Sequence, residues 1–383
     1  MYAVELYRLS RDRDWIRRHV PLMKQCAEWT IANRRKTMVL EDGRKPLHWG
    51  LLPKWTYGGD IFEQQCYPLF SNLACWRGLA ATAELLRDLG ERDDADRYER
   101  EAADYHRTIL EVVDTIYRKQ ADPPVLPPHV YAQGPDGQEY YQLFAGMGLD
   151  LLPFEFTDPR ADYFGRFLEQ DNRTFCLLMR FRRDAGPGGL DPIYSQGYIL
   201  SKLHQDRIRE FLLGFHAYQA FNLERDCFTS RETNVVYSSD LHRRTDFKVP
   251  DESDLVPCSG AVLLNLLRHM LMTEESSGAA RYTGRLALLR GAPRRWFADG
   301  CVISMQQAPT HFGKVSFRVE SQAEQAVIRA EVAVPDRCRG IVLRLRHPMG
   351  APMKSVRLNG RPPVPAVSRR GSEQTKTRTE DHG

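Results

Sequence analysis

Residues 46–79 read PLHWGLLPKWTYGGDIFEQQCYPLFSNLACWRGL. Pro53 and the adjacent Gly58 and Gly59 disfavour a regular element, so we expect a long loop as far as Pro68, followed by a helix. The stretch combines aromatic rings with two carboxylates: Trp49, Trp55, Tyr57, Tyr67, Trp76, Asp60 and Glu63. Rings stack on sugar C–H faces and carboxylates bind hydroxyls, so the stretch predicts a carbohydrate-binding cleft. The alternative, rings that only pin a loop between helices, stays open.

The composition is that of an ordinary globular protein, with 42% hydrophobic and 27% charged residues among 383. This length predicts two domains, or one large domain with an appendage. The net charge is only +4, and opposite charges are mixed along the helices, so we predict no nucleic-acid partner. No apolar run reaches the roughly 18 residues of a membrane span. No secretory signal opens the sequence, so we expect a cytoplasmic protein without a membrane partner.

The residues that bind metals or cofactors do not form a recognisable motif. The eight cysteines show no C-x-x-C spacing, and no H-E-x-x-H sequence occurs. Residues 240–254 are rich in acids but lack the spacing of a calcium loop. The glycine-rich residues 184–189 lack the phosphate-loop pattern. We therefore predict no metal and no cofactor.

Apolar side chains recur at helical spacing through most of the first 278 residues. Helices are predicted at residues 3–10, 14–34, 68–90, 93–118, 139–150, 160–168, 171–182, 195–222 and 258–274. Pro21 is expected to kink or split the second, Gly90 to cap the third, and residues 204–206 to interrupt the eighth. Paired helices with long loops predict an array of α-hairpins.

The period changes after residue 283, where short apolar or alternating runs are separated by glycines. Strands are predicted at residues 285–290, 301–307, 314–320, 326–334, 341–346 and 355–358. The fold class is therefore α+β with two domains: a helical domain over 1–278 and a small antiparallel β-sandwich over 283–363. Residues 364–383 are mostly polar and are predicted to be disordered.

Two motifs resemble the six-hairpin glycosidases, and the nearest pattern is that of α-L-rhamnosidase-like bacterial proteins. G-L-L-P at 50–53, G-D at 59–60 and Y-P-L-F-S-N at 67–72 resemble that family's G-L-L-P…G-D loop and the hairpin after it. F-T-S-R-E at 228–232 is loosely similar to its T-T-x-W-E loop, although it is one residue shorter and lacks the tryptophan. The runs APRRWF, APTHFG and LRHP, beginning at residues 292, 308 and 345, are similar to the sandwich that follows such domains.

The resemblance implies an (α/α)6 toroid, followed by a β-sandwich, that hydrolyses a glycosidic bond. By motif match, Glu232 is the general base. Inverting hydrolysis needs a second carboxyl group ~6.5–9.5 Å away, and Asp60 and Glu63 are our candidates. We find no equivalent of the family's D-E-R-x-G-W acid loop and fewer helices than a full toroid. We therefore expect a partial toroid, truncated at its N-terminal side.

Carbohydrate is thus the predicted partner. We expect sugar contacts from His48, Trp49, Trp55, Tyr57, Trp76, Glu139 and Tyr140. Alternatively Glu232 is a loop glutamate paired with Arg231, and Asp60 and Glu63 are solvated charges.

Two other functions stay open. A polysaccharide lyase on the same toroid would use a Tyr/His pair, drawn from Tyr131, Tyr140, Tyr194 and His129. A degenerate toroid would bind glycan without cleaving it. The sugar, the stereochemistry and the oligomeric state do not follow from the sequence.

Overall fold

The computed structural model describes residues 1–56, 65–118, 124, 126–127, 129–131, 152–161, 168–169, 174–179, 189–190, 192–223, 234–235, 257–279 and 282–361. The helices with defined bounds are α1 (Tyr2–Ser10), α2 (Arg13–Lys36), α3 (Leu69–Leu89), α4 (Arg92–Ile116), α5 (Gln196–His204), α6 (Ile208–Asn222) and α7 (Pro257–Leu271). The short strands among them are β1 (Trp55–Thr56), β2 (Gln65–Pro68), β3 (His129–Val130), β4 (Thr174–Phe175), β5 (Leu178–Met179), β6 (Gly189–Leu190) and β7 (Asn234–Val235). The later strands are β8 (Met272–Ser276), β9 (Tyr282–Leu288), β10 (Val302–Thr310), β11 (Gly313–Gln322), β12 (Val327–Ala333) and β13 (Gly340–Leu343).

The first helical hairpin, α1 and α2, matches the predicted bounds within two residues. Asp12 caps α2 by accepting a 2.8 Å hydrogen bond from the backbone N–H of Trp15. The predicted split at Pro21 is wrong, because α2 continues unbroken to Lys36. Burial of an apolar face on both sides of the proline stabilises the helix despite the one missing N–H donor.

The second hairpin, α3 and α4, confirms both predicted helices. Gly90 ends α3 with φ 92°, and the N–H of Glu91 then bonds to the Leu86 carbonyl at 2.8 Å. Helix α3 is buried on several sides, whereas α4 buries a single face. Thus α3 is an inner helix and α4 covers it.

The predicted interruption of the long helix at residues 204–206 is confirmed. Asp206, at φ 64°, separates α5 from α6. The helix predicted over 171–182 is wrong, because residues 174–179 form the β4–β5 hairpin. Cys176 and Leu177 have φ values of 49° and 68°, the left-handed pair that a two-residue hairpin turn requires. A short apolar run does not distinguish a helix from a buried strand by its period.

A small sheet corrects our expectation of an irregular loop before Pro68. Strand β2 pairs antiparallel with β1 on one side and with β3 on the other. Tyr67 is opposite Val130 in this ladder. The sheet therefore brings residues 129–131 beside the residues that lead into α3.

The C-terminal part contains two three-stranded sheets, in the orders β10-β11-β12 and β13-β9-β8. Strand β13 runs parallel to β9, so the predicted all-antiparallel arrangement is wrong for this pair. The predicted strand at 355–358 is also absent from this part of the chain, where Leu358 makes only an isolated bridge with Arg361.

The helical and β parts meet without a linker. Helix α7 ends at Leu271, earlier than predicted, and β8 begins at the next residue. Two cores lie on either side of this junction, one among the helices and one between the two sheets. The fold is thus mixed α and β with two hydrophobic cores, while closure of the helices into a toroid stays a prediction.

Candidate functional site

A cleft of about 430 Å³ lies where the end of α2, the loop after it and strand β2 meet. Its walls come from Lys36, Thr37, Val39, Glu41, His48, Pro53, Lys54 and Tyr67. This volume is within the range of small-molecule sites. The cleft lies at the start of the stretch that sequence analysis singled out.

Arg34 fixes one wall from beneath. Its side chain is only 1% exposed, and its Nε donates a 2.9 Å hydrogen bond to the Gly50 carbonyl. Its guanidinium stacks 4.0 Å from the ring centre of Tyr105 and pairs with Asp104 at 3.1 Å. About one helical turn after Arg34, the Thr37 hydroxyl donates a 2.6 Å hydrogen bond to the Leu51 carbonyl. Side chains at the end of α2 thus hold the G-L-L-P segment by hydrogen bonds to the carbonyl groups of that segment.

Asn72 connects that segment to strand β2. Its Oδ1 accepts hydrogen bonds from the Leu52 N–H at 2.9 Å and from the Tyr105 hydroxyl at 2.6 Å. Its Nδ2 donates to the Pro68 carbonyl at 2.7 Å. Because Asn72 is fully buried, each of these bonds would be costly to leave unmade. The two walls of the cleft therefore have a common support.

His48 is the polar centre of the cleft. Its ring stacks on Tyr67, with centroids 4.3 Å apart and planes 16° apart. Its Nδ1 hydrogen-bonds the Tyr131 hydroxyl at 2.9 Å, and its Nε2 lies 3.6 Å from a Glu41 carboxylate oxygen. Tyr131 reaches this position from the end of β3, where its φ of 66° is rare for a residue other than glycine.

The local environment shifts the pKa values of His48 and Tyr67. Partial burial lowers the pKa of His48, against the attraction of Glu41, and the Lys54 ammonium lowers it further. Burial raises the pKa of Tyr67, and the neighbouring Tyr131 and Glu41 add to that rise. Near neutral pH, the cleft therefore presents an uncharged imidazole and an uncharged phenol. Both groups can bind sugar hydroxyls.

The predicted tryptophans lie in different environments. Trp49 is half-buried beneath the Lys45 ammonium, 5.1 Å from its ring centre. Trp55, on β1, is 64% exposed but outside the cleft wall. Trp76 is 4% exposed and stacks on His106, with ring centroids 4.4 Å apart. Its ring is part of the helical core.

Several predicted residues lie outside the described residues: Tyr57, Asp60, Glu63, Glu139, Tyr140 and Glu232. The structure does describe Asn234, two positions after Glu232. Asn234 lies opposite Leu190 in the β6–β7 pair. This pair brings the strand after the F-T-S-R-E motif beside the segment that leads into α5.

The supporting residues and the charged side chains of the cleft wall were not predicted from the sequence. Arg34 and Asn72 occupy positions on the apolar, buried faces of their helices. A polar residue at such a position is the feature of the sequence that could have identified them. Tyr131 was considered only as a partner for His129. The described His129 is buried, and its Nδ1 lies 3.2 Å from the Val130 carbonyl, whereas Tyr131 bonds to His48.

Among the described residues, no group of three or more His, Cys, Asp or Glu side chains is arranged to hold a metal ion. No described helix is long and apolar enough to cross a membrane.

No protein-family model matches the chain, and no curated protein matches it. The functional assignment therefore depends on the geometry of the cleft and on the motifs beside it.

Proposed function

We propose that the protein binds carbohydrate in the cleft around His48 and hydrolyses a glycosidic bond by carboxylate acid/base catalysis. The supporting observation is the stacked pair of His48 and Tyr67 in the wall of a 430 Å³ cleft beside the G-L-L-P segment, with Tyr131 hydrogen-bonded to His48. Aromatic rings and uncharged hydrogen-bonding groups in one concave surface are the combination that sugar recognition needs.

The proposed chemistry uses residues assigned by motif. Glu232 accepts a proton from water as the water attacks the anomeric carbon, and Asp60 or Glu63 donates a proton to the leaving oxygen. Asn234, two positions after Glu232, pairs with Leu190 in the segment before α5. His48 and Tyr131 would hold sugar hydroxyls while the carboxylates act.

The test compares two variants across a panel of oligosaccharides. Glu232→Gln should abolish reducing-sugar release while leaving binding intact, because it removes the base without changing the shape of the side chain. His48→Ala should weaken binding about tenfold, because it removes a ring and a hydrogen-bonding group. Undiminished turnover in Glu232→Gln would exclude that residue. If the unmodified protein binds glycan but releases no product, the protein is a binding protein and not a hydrolase.

The hydrogen bond between His48 and Tyr131 favours a second candidate, β-elimination. A Tyr/His pair 2.9 Å apart can remove a proton beside a uronate carboxylate and deliver one to the leaving oxygen. Elimination yields an unsaturated product that absorbs ultraviolet light, whereas hydrolysis does not. Tyr131→Phe should abolish that absorbance. Product formation without absorbance would exclude elimination.

A further inference from the structure

The charges on the cleft wall are unequal. Lys36, Lys54 and Glu41 are the charged residues among its described lining, so ammonium groups outnumber carboxylates there. Glu41 is already associated with His48 at 3.6 Å. The two lysines therefore leave the cleft with a positive side.

Neither lysine has a carboxylate partner within the described part of the chain. Lys36 donates a 3.0 Å hydrogen bond to the neutral Asn33 side chain. Lys54 lies over the Tyr67 ring, 5.8 Å from its centre. By contrast, Lys24 pairs with Asp94 at 2.6 Å. Among the described residues, therefore, no carboxylate neutralises the ammonium charge of Lys36 or Lys54 at the cleft.

The rest of the cleft would hold the uncharged part of such a ligand. His48 and Tyr67 line the cleft as a stacked pair of rings, and the lowered pKa of His48 reflects burial and the Lys54 charge. A ligand with hydroxyls on one side and a negative group on the other would match both halves. Lysine binds carboxylate and sulfate alike as a point charge.

We infer that the cleft selects an acidic sugar and binds its carboxylate or sulfate group between Lys36 and Lys54. The inference depends on the proposed carbohydrate function, and it adds the chemical class of the ligand. It holds for hydrolysis and for elimination, because it concerns binding alone.

The test measures binding by calorimetry with uronate oligosaccharides, their methyl esters, and sulfated and unsulfated galactan fragments. Methyl esterification removes the carboxylate charge but keeps the ring and its hydroxyls. We expect each acidic oligosaccharide that binds to lose about tenfold in affinity on esterification or desulfation. Binding should also weaken as salt rises from about 20 to about 300 mM. Whether uronate or sulfate binds more tightly identifies the source of the anion.

Two cleft variants and a matched control complete the experiment. Lys54→Gln and Lys36→Gln should each reduce the affinity for the acidic ligand about fivefold and leave the neutral counterpart unchanged, because both ammonium groups are exposed. Lys314→Gln replaces another exposed lysine, on β11, and should change the affinity for neither ligand. Unchanged thermal midpoints would show that the variants are folded.

The possible failures are distinct. If acidic and neutral sugars bind equally, or if both cleft variants bind the acidic ligand normally, the inference is overturned and the carbohydrate function stands. If no oligosaccharide binds, both are overturned.

Discussion

Arg34 shows how one buried charge can position a surface cleft. Its guanidinium binds the Gly50 carbonyl, the Asp104 carboxylate and the Tyr105 ring, and none of these partners is adjacent in sequence. The residue therefore contributes to stability and also fixes the loop that carries His48. Periodicity placed Arg34 on a helix, but its partners lie on another helix and in a loop, and no local rule identifies them.

Arg34→Met should lower the free energy of unfolding by about 2–3 kcal/mol, the typical value of hydrogen bonds to a charged group. Urea denaturation measures this. The neighbouring Arg35→Met is the matched control, because Arg35 is 64% exposed and its ion pair with Glu101 is on the surface. That change should cost less than about 1 kcal/mol. Equal losses of unfolding free energy in the two variants would show that the buried contacts of Arg34 add no more stability than the surface ion pair of Arg35.

At the scale of the elements, predictions succeeded where the chain carries local signals. Gly90 marks the end of α3, and the polar residues 204–206 mark the break between α5 and α6. They failed where the partner is distant, because β2 pairs with residues 129–130. For the same reason, the His48–Tyr131 contact could not be derived from the sequence, although the aromatic stretch around His48 was located correctly.

Gly90→Ala tests the end of α3. No atom lies within 4 Å of the position that its Cβ would occupy, so any cost comes from the left-handed backbone at φ 92°. We expect a loss of about 1 kcal/mol in unfolding free energy. Gly260→Ala, inside α7 and also in open space, should instead stabilise by about 0.5–1 kcal/mol. A stabilising Gly90→Ala would show that this turn is not left-handed in solution.

At the scale of the whole molecule, the junction between helices and sheets contains buried ionisable groups. His204 stacks on Phe156, with ring centroids 4.7 Å apart, and its centroid is 6.2 Å from that of His269. Burial lowers the pKa of His204 to about 3 and that of His269 to about 4, and neighbouring positive charges add to both shifts. Nearby, Arg268 overcomes the effect of burial and lowers the pKa of Glu274 to about 2.

These shifts predict an acid-labile junction. In the unfolded chain both histidines bind a proton as the pH falls below their ordinary pKa of 6.5. In the folded protein His269 stays neutral until about pH 4 and His204 until about pH 3. Stability is therefore full above pH 6.5 and falls as the pH drops through this window. Glu274 acts in the same direction between about pH 4.5 and 2. Urea denaturation at a series of pH values measures the slope.

His204→Phe should flatten that slope between pH 6.5 and 4, because the ring still stacks on Phe156 but no longer binds a proton. His216→Gln is the control, since the His216 side chain is exposed to water in both states. If the His204 variant keeps the full slope, this histidine does not cause the acid sensitivity.

The direct passage from α7 into β8 limits how this protein can evolve. Strand β8 is the outer partner of β9, and the Glu5 carboxylate of α1 lies 2.7 Å from His311 beyond β10. A recombination breakpoint before residue 272 would transfer β8 with the sheets but leave α7 without its continuation. A breakpoint after Ser276 would leave an unpaired strand on the helices, and unpaired strands promote aggregation. We therefore expect chimeras that exchange the β part alone to be less stable than the intact chain.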